Sequence, residues 1–98
     1  MKVNALMMDQ KDNVGTCICD VSAGETVSFI CNGENLEVKT LENIPYCHKV
    51  AIKPIEKGAE VIKYGEVIGA SDVDICVGQW VSHHNIHGIP RDYISELL

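Results

Sequence analysis

Three times along this chain an apolar residue is followed by a two-residue gap, a glycine, a second two-residue gap and a valine. The copies are Val21 to Val27 around Gly24, Ile55 to Val61 around Gly58, and Ile75 to Val81 around Gly78. A tight turn with glycine at its left-handed position, leading straight into a new strand, accounts for that spacing. The copies are unevenly spaced, so they do not stack as a solenoid. They read as one turn geometry reused in a compact β fold, and the geometry alone implies no chemistry.

The segments between the turns are short and suited to strands. Asn13 to Cys19, Thr26 to Cys31 and Leu36 to Leu41 are rich in β-branched residues or alternate apolar with polar. Asn32-Gly33 lies between the last two and predicts a hairpin over Thr26 to Leu41. Lys49 to Ile55, Glu60 to Tyr64, Val67-Ile68, Val73 to Cys76 and Gln79 to Ser82 continue the series, with Gly58, Gly65 and Gly69 as breaks. Only the tail, from Pro90 to Leu98, has helical spacing. Proline there stands at a first helical position, and Tyr93, Ile94, Leu97 and Leu98 share a face.

At 98 residues the chain suits a single domain, residues 1–98, with residues 89–98 as a helical tail. Apolar residues make up 46% and charged residues 22%, which supports a packed core rather than disorder. Net charge is 8 − 14 = −6. That sign disfavours nucleic acid and anionic membrane surfaces as partners. It leaves room for a small anionic ligand, because a local cluster of lysines can oppose the global sign. The apolar run within Met1 to Asp9 is short for a signal peptide, and no run is long enough to cross a bilayer, so a soluble cytoplasmic chain is expected. Five cysteines, Cys17, Cys19, Cys31, Cys47 and Cys76, include no CxxC pair, so a zinc ribbon is not expected. They read as small apolar residues in a reducing compartment, with Cys17 and Cys19 on one face of a strand.

The four histidines fall in two places, His48 and the group His83, His84 and His87. In a strand His83 and His84 face opposite ways. His83 and His87 read as an exposed polar terminus. On spacing alone His84 reads equally as that and as a site residue. His48-Lys49, after Ile44-Pro45, could hold and polarise a carboxylate or hydroxyl. Unaided, the pair reads as a solvated loop.

A longer pattern adds to this. Ile44-Pro45, His48-Lys49-Val50-Ala51, Lys57-Gly58, Val61-Ile62-Lys63-Tyr64-Gly65-Glu66-Val67-Ile68-Gly69 and Ser82-His83-His84-Asn85 occur in that order. Over about Asn13 to Asn85 the chain resembles the SAF domain of altronate and galactarate dehydratases. It departs from the family pattern at Cys47, where a glycine is usual, and at Ser82-His83, where His-Val is usual. The resemblance implies an all-β, SAF-type β-clip fold with a short C-terminal helix. It implies the small subunit of a heteromeric sugar-acid dehydratase, a hydro-lyase acting on an aldonic or aldaric acid beside a large dehydratase subunit. His48 and His84 are then expected to be catalytic, and Lys49 and Asn85 to bind substrate. A divalent metal, Fe2+ or Mn2+, would sit mainly on the large subunit, with His84 as the candidate ligand here. The isolated chain could form a homo-oligomer. The small subunit of sulfolactate sulfo-lyase and a non-catalytic carbohydrate- or partner-binding SAF module are the other readings.

Overall fold

The computed structural model describes residues 3–88, and the expected helical tail at 89–98 lies outside them. Nine strands and no helix occur among the described residues. Strands β1 (Ala5–Leu6), β2 (Val14–Cys17), β5 (Lys49–Ala51) and β8 (Trp80–Val81) form an antiparallel sheet in the order β1-β2-β5-β8. Strands β3 (Thr26–Cys31) and β4 (Glu34–Lys39) form one hairpin. Strands β6 (Glu60–Lys63) and β7 (Glu66–Ser71) form another, extended by β9 (Ile86–His87).

The β3–β4 hairpin turns at Asn32-Gly33, as its sequence predicts. Both residues have positive φ, 51° and 78°, the signature of a turn whose twist matches the strands. Tyr64-Gly65 makes the same turn in the second hairpin, with φ of 53° and 77°. Gly69, expected as a break, instead lies inside β7 and is buried. A side chain there would overlap the His87 carbonyl oxygen of β9, so glycine permits the close approach of the two strands. Val73 to Cys76 forms no strand, contributing only an isolated bridge between Ile75 and Ile55.

All three predicted glycine turns are present, with φ of 88° at Gly24, 85° at Gly58 and 92° at Gly78. A fourth occurs at Ile44 to Val50, where Cys47 takes the glycine position at φ 68°. In each turn an amide closes back three residues: Glu25 to Ser22 O, His48 to Pro45 O, Ala59 to Glu56 O and Gln79 to Cys76 O, at 2.9 to 3.1 Å. The apolar residues flanking the four turns, Val21, Val27, Ile44, Val50, Ile55, Val61, Ile75 and Val81, are all buried. Each stabilises the fold by about 1.5–3 kcal/mol relative to exposure.

The four turns form two equivalent pairs. Val21 bridges Ile44, and Ile55 bridges Ile75. Ala5 pairs with Cys17 as Val14 pairs with Ala51. The amide of Asn4 donates to Ser28 O, and that of Asn13 to Ile62 O. Cys17 donates to His48 O, and Ala51 to Gln79 O. Two quasi-equivalent halves therefore meet at β5 and β8, each with its own core cluster. His48 and Trp80 are carried to this seam, one from each half.

Cys17 is fully buried in the first cluster. Cys19 lies beyond the end of β2 and is exposed, so the two thiols do not share a strand face. Burial, reinforced by the neighbouring Cys19, pushes the Cys17 thiol from its ordinary 9.0 to about 11. The folded chain therefore keeps this proton after the unfolded chain has released it. The resulting contribution is intact below about pH 9 and is lost as pH rises through about 11. Denaturant midpoints across that window should show a loss of about 2 kcal/mol assignable to this thiol. A Cys17→Ala chain should lack that component, and an identical alkaline slope in both proteins would contradict the assignment.

Candidate functional site

His48 owes its position to the Cys47 turn. The turn reverses the chain after Pro45, and the His48 carbonyl accepts the Cys17 amide at 2.9 Å, fixing the backbone as β5 begins. A non-glycine residue at positive φ costs about 1–2 kcal/mol, so the chain carries local strain beside His48. From the other half, β8 brings Trp80 opposite Val50. The Trp80 amide donates to Glu42 Oε2 at 3.0 Å, and its carbonyl accepts from Asn85 Nδ2 at 2.8 Å. Held on both sides, the half-buried indole donates from Nε1 to His48 Nδ1 at 3.1 Å. The rings lie 5.4 Å apart, edge to face at 68°.

His84 approaches the same indole. Ser82-His83-His84-Asn85 is a turn rather than a strand end, closed by the Asn85 amide on Ser82 O at 3.0 Å. Asn85 Oδ1 also accepts the Ser82 amide at 2.9 Å. His83 and His84 are thus the corners of a turn, and strand alternation does not decide their directions. His84 is exposed, and its ring lies 4.9 Å from the indole, tilted by 50°. His48 and His84, distant in the sequence, therefore both pack on Trp80 at the surface. Among the described residues the His84 ring has no hydrogen bond to protein, and the His48 ring has one, on Nδ1.

The two residues expected to bind substrate are placed otherwise. Asn85 is buried and its amide bridges Trp80 O and the Ser82 amide, so it shapes the turn that carries His84. Lys49 stands in register with Thr16 and Val81, whereas Trp80 stands in register with Val50. Adjacent strand residues face opposite sides, so Lys49 lies on the far face of the sheet from the indole. Burial there, and then the charge of Lys63, lower the Lys49 ammonium below its ordinary range. Thr16, opposite it, has a buried hydroxyl without a partner. His83 and His87 are exposed, His83 beside Ser82 Oγ and His87 paired with Asp72.

No group of three His, Cys, Asp or Glu among the described residues is arranged to hold a metal ion. The indole proton also occupies one of the two His48 nitrogens. The described residues therefore do not make a metal centre by themselves. All five cysteines are free thiols. A cleft of about 510 Å³ lies elsewhere, between Pro54–Lys57 and Asp74–Val77, and none of the three aromatic site residues lines it. Trp80, which joins the two imidazoles, was visible in the sequence as a member of the third turn copy and of the Gln79 to Ser82 strand candidate. Its role depends on a contact across the fold, for which a two-residue strand carries no local signal.

The described residues thus form a small strand-built domain with two imidazoles around one indole on an open surface. The family described as the altronate/galactarate dehydratase SAF domain matches residues 3–88, and the chain belongs to that family. Altronate dehydratase of Escherichia coli strain K12 is 38% identical over 85 residues, covering 87% of this chain and 15% of that protein. Altronate dehydratase of Bacillus subtilis strain 168 is 31% identical over 80 residues, covering 82% of this chain and 15% of that protein. The chain thus spans about 15% of the length of these two relatives. The (2R)-sulfolactate sulfo-lyase subunit alpha of Chromohalobacter salexigens is 29% identical over 89 residues, covering 88% of this chain and 95% of that subunit. Among the described residues no helix is long and apolar enough to cross a membrane.

Proposed function

We propose that this chain is the SAF part of a sugar-acid hydro-lyase of the altronate/galactarate dehydratase type, acting as a small subunit against a larger catalytic chain. One observation carries the reading: His48 and His84 meet on Trp80 at an open surface rather than inside a cleft. Such a rim becomes a water-excluding site once another surface closes over it. In the dehydration of an aldonic or aldaric acid, a base removes the proton next to the carboxylate and the β-hydroxyl leaves as water. The larger chain supplies that base. It also holds most ligands of the divalent cation, iron or manganese, which would stabilise the developing enolate when bound. Here His48 and His84 contact substrate oxygens, and His84 can pass a proton to the departing hydroxyl. Free thiols suit a cytoplasmic setting.

The match across 95% of a sulfo-lyase alpha subunit supports a second reading, in which the leaving group is sulfite. The test is to assemble the chain with the large chain from the same genome. Turnover of altronate, galactarate and (2R)-sulfolactate is then measured with added iron. The wild-type complex should act on one of these acids. His84→Ala should lower kcat by about a hundredfold without dissociating the complex. Unchanged turnover in His84→Ala would remove His84 from the site. Unchanged turnover in both His48→Ala and His84→Ala would make the chain a binding module.

A further inference from the structure

We infer that Trp80 is a positioning residue that fixes the protonation pattern of His48, so that His48 meets a ligand oxygen as a neutral Nε2–H donor. An indole nitrogen can only donate. The 3.1 Å bond from Trp80 Nε1 therefore requires a lone pair on His48 Nδ1, and the neutral ring must carry its proton on Nε2. The main chain that carries the indole is fixed. Its backbone is held by Glu42 on one side and Asn85 on the other, and β8 is paired to β5 within the sheet. The His48 backbone is equally fixed, through Cys17 and Pro45. Two rigid supports, one from each half of the domain, thus hold donor and acceptor in register.

The consequence is chemical. With Nδ1 engaged and Nε2 protonated, neutral His48 has no free lone pair. It can neither ligate a metal nor take the substrate's α-proton while the indole bond stands. It can donate from Nε2 to a carboxylate or hydroxyl oxygen, where charge develops as water leaves. The His84 ring makes no such bond among the described residues, so the two imidazoles on one indole are unequal: His48 is a fixed donor, and His84 only packs against the indole.

This inference deepens the proposed function, and its test separates the two. In the full 98-residue chain labelled with nitrogen-15, His48 should show an unprotonated Nδ1 and a protonated Nε2. A through-hydrogen-bond coupling should link Nδ1 to Trp80 Nε1. Trp80→Phe, which keeps a ring beside His84, should lose the coupling and release His48 into a mixture of tautomers. His48 protonated on Nδ1, or an unchanged tautomer in Trp80→Phe, would overturn the inference whatever the enzyme does. In the assembled complex, His48→Gln places a neutral N–H donor near the Nε2 position. It should retain turnover to within about tenfold of wild type, while His48→Ala falls by about a hundredfold or more. Gln behaving like Ala would mean that His48 acts through a lone pair, against the inference. A wild-type complex inert towards all three acids would count against the proposed function alone, because the tautomer measurement stands without activity.

Discussion

Gly78→Ala should destabilise the domain by about 3 kcal/mol or more, lowering its melting temperature by roughly 15 °C or leaving it unfolded. Two effects add at this position. Gly78 has φ of 92°, and a side chain in the left-handed region costs about 1–2 kcal/mol by itself. A methyl group there would also overlap the Lys39 carbonyl oxygen and press on the Leu41 amide and side chain, each at 3.3 Å. The backbone cannot retreat without breaking bonds, because the Gly78 amide donates to Ala51 O and its carbonyl accepts from Leu41, both at 2.8 Å. Gly24 and Gly58 have the same turn conformation but open space around them, so alanine there should show the conformational penalty alone. Thermal and urea unfolding of the three variants decides the matter. A Gly78→Ala loss no larger than those of Gly24→Ala and Gly58→Ala would mean that the packing against Lys39 is not tight.

Asp12→Ala should cost about 3 kcal/mol through a different mechanism. Asp12 is fully buried. Its Oδ2 accepts the amides of Met8 at 3.0 Å and Asp9 at 3.1 Å, and its Oδ1 accepts that of Gly65 at 2.7 Å. A charged acceptor satisfied by backbone donors is worth more than a neutral one, and its removal strands donors away from water. The carboxylate ties the N-terminal loop to the tip of the β6–β7 hairpin, so hydrogen exchange should accelerate first at Met8, Asp9 and Gly65 in the variant. Exchange at those amides matching wild type, together with an unchanged urea midpoint, would show that other contacts hold the loop.

The parts of this fold legible in the sequence are those coded by neighbouring residues. Asn32-Gly33 marks its hairpin because both positions need positive φ, and the three glycine turns show because only glycine takes that conformation cheaply. The fourth turn was hidden by Cys47, a residue that ordinarily argues against the geometry it adopts. Ala5–Leu6 and Ile86–His87 are too short to show any alternation, and their pairing is set by partners distant in the chain. At the site, His48 and His84 could be singled out by type and motif. The buried role of Asn85 and the separation of Lys49 from His48 could not be read from motif alone. The latter follows from strand alternation once Lys49 is known to begin β5. The internal equivalence of the two halves was concealed because matching positions conserve turn geometry and burial rather than residue identity: His48 corresponds to Gln79, and Cys17 to Ala51.

The proposed chemistry requires two imidazoles from separate halves of the domain to act on one ligand. The most direct measurement follows their ring signals in the assembled complex, with only this chain's histidines carbon-13 labelled, as the sugar acid is added. His48 and His84 should shift together along a single binding curve, while His83 and His87 stay still. Product formation with both rings unmoved, or movement confined to His83 and His87, would contradict it.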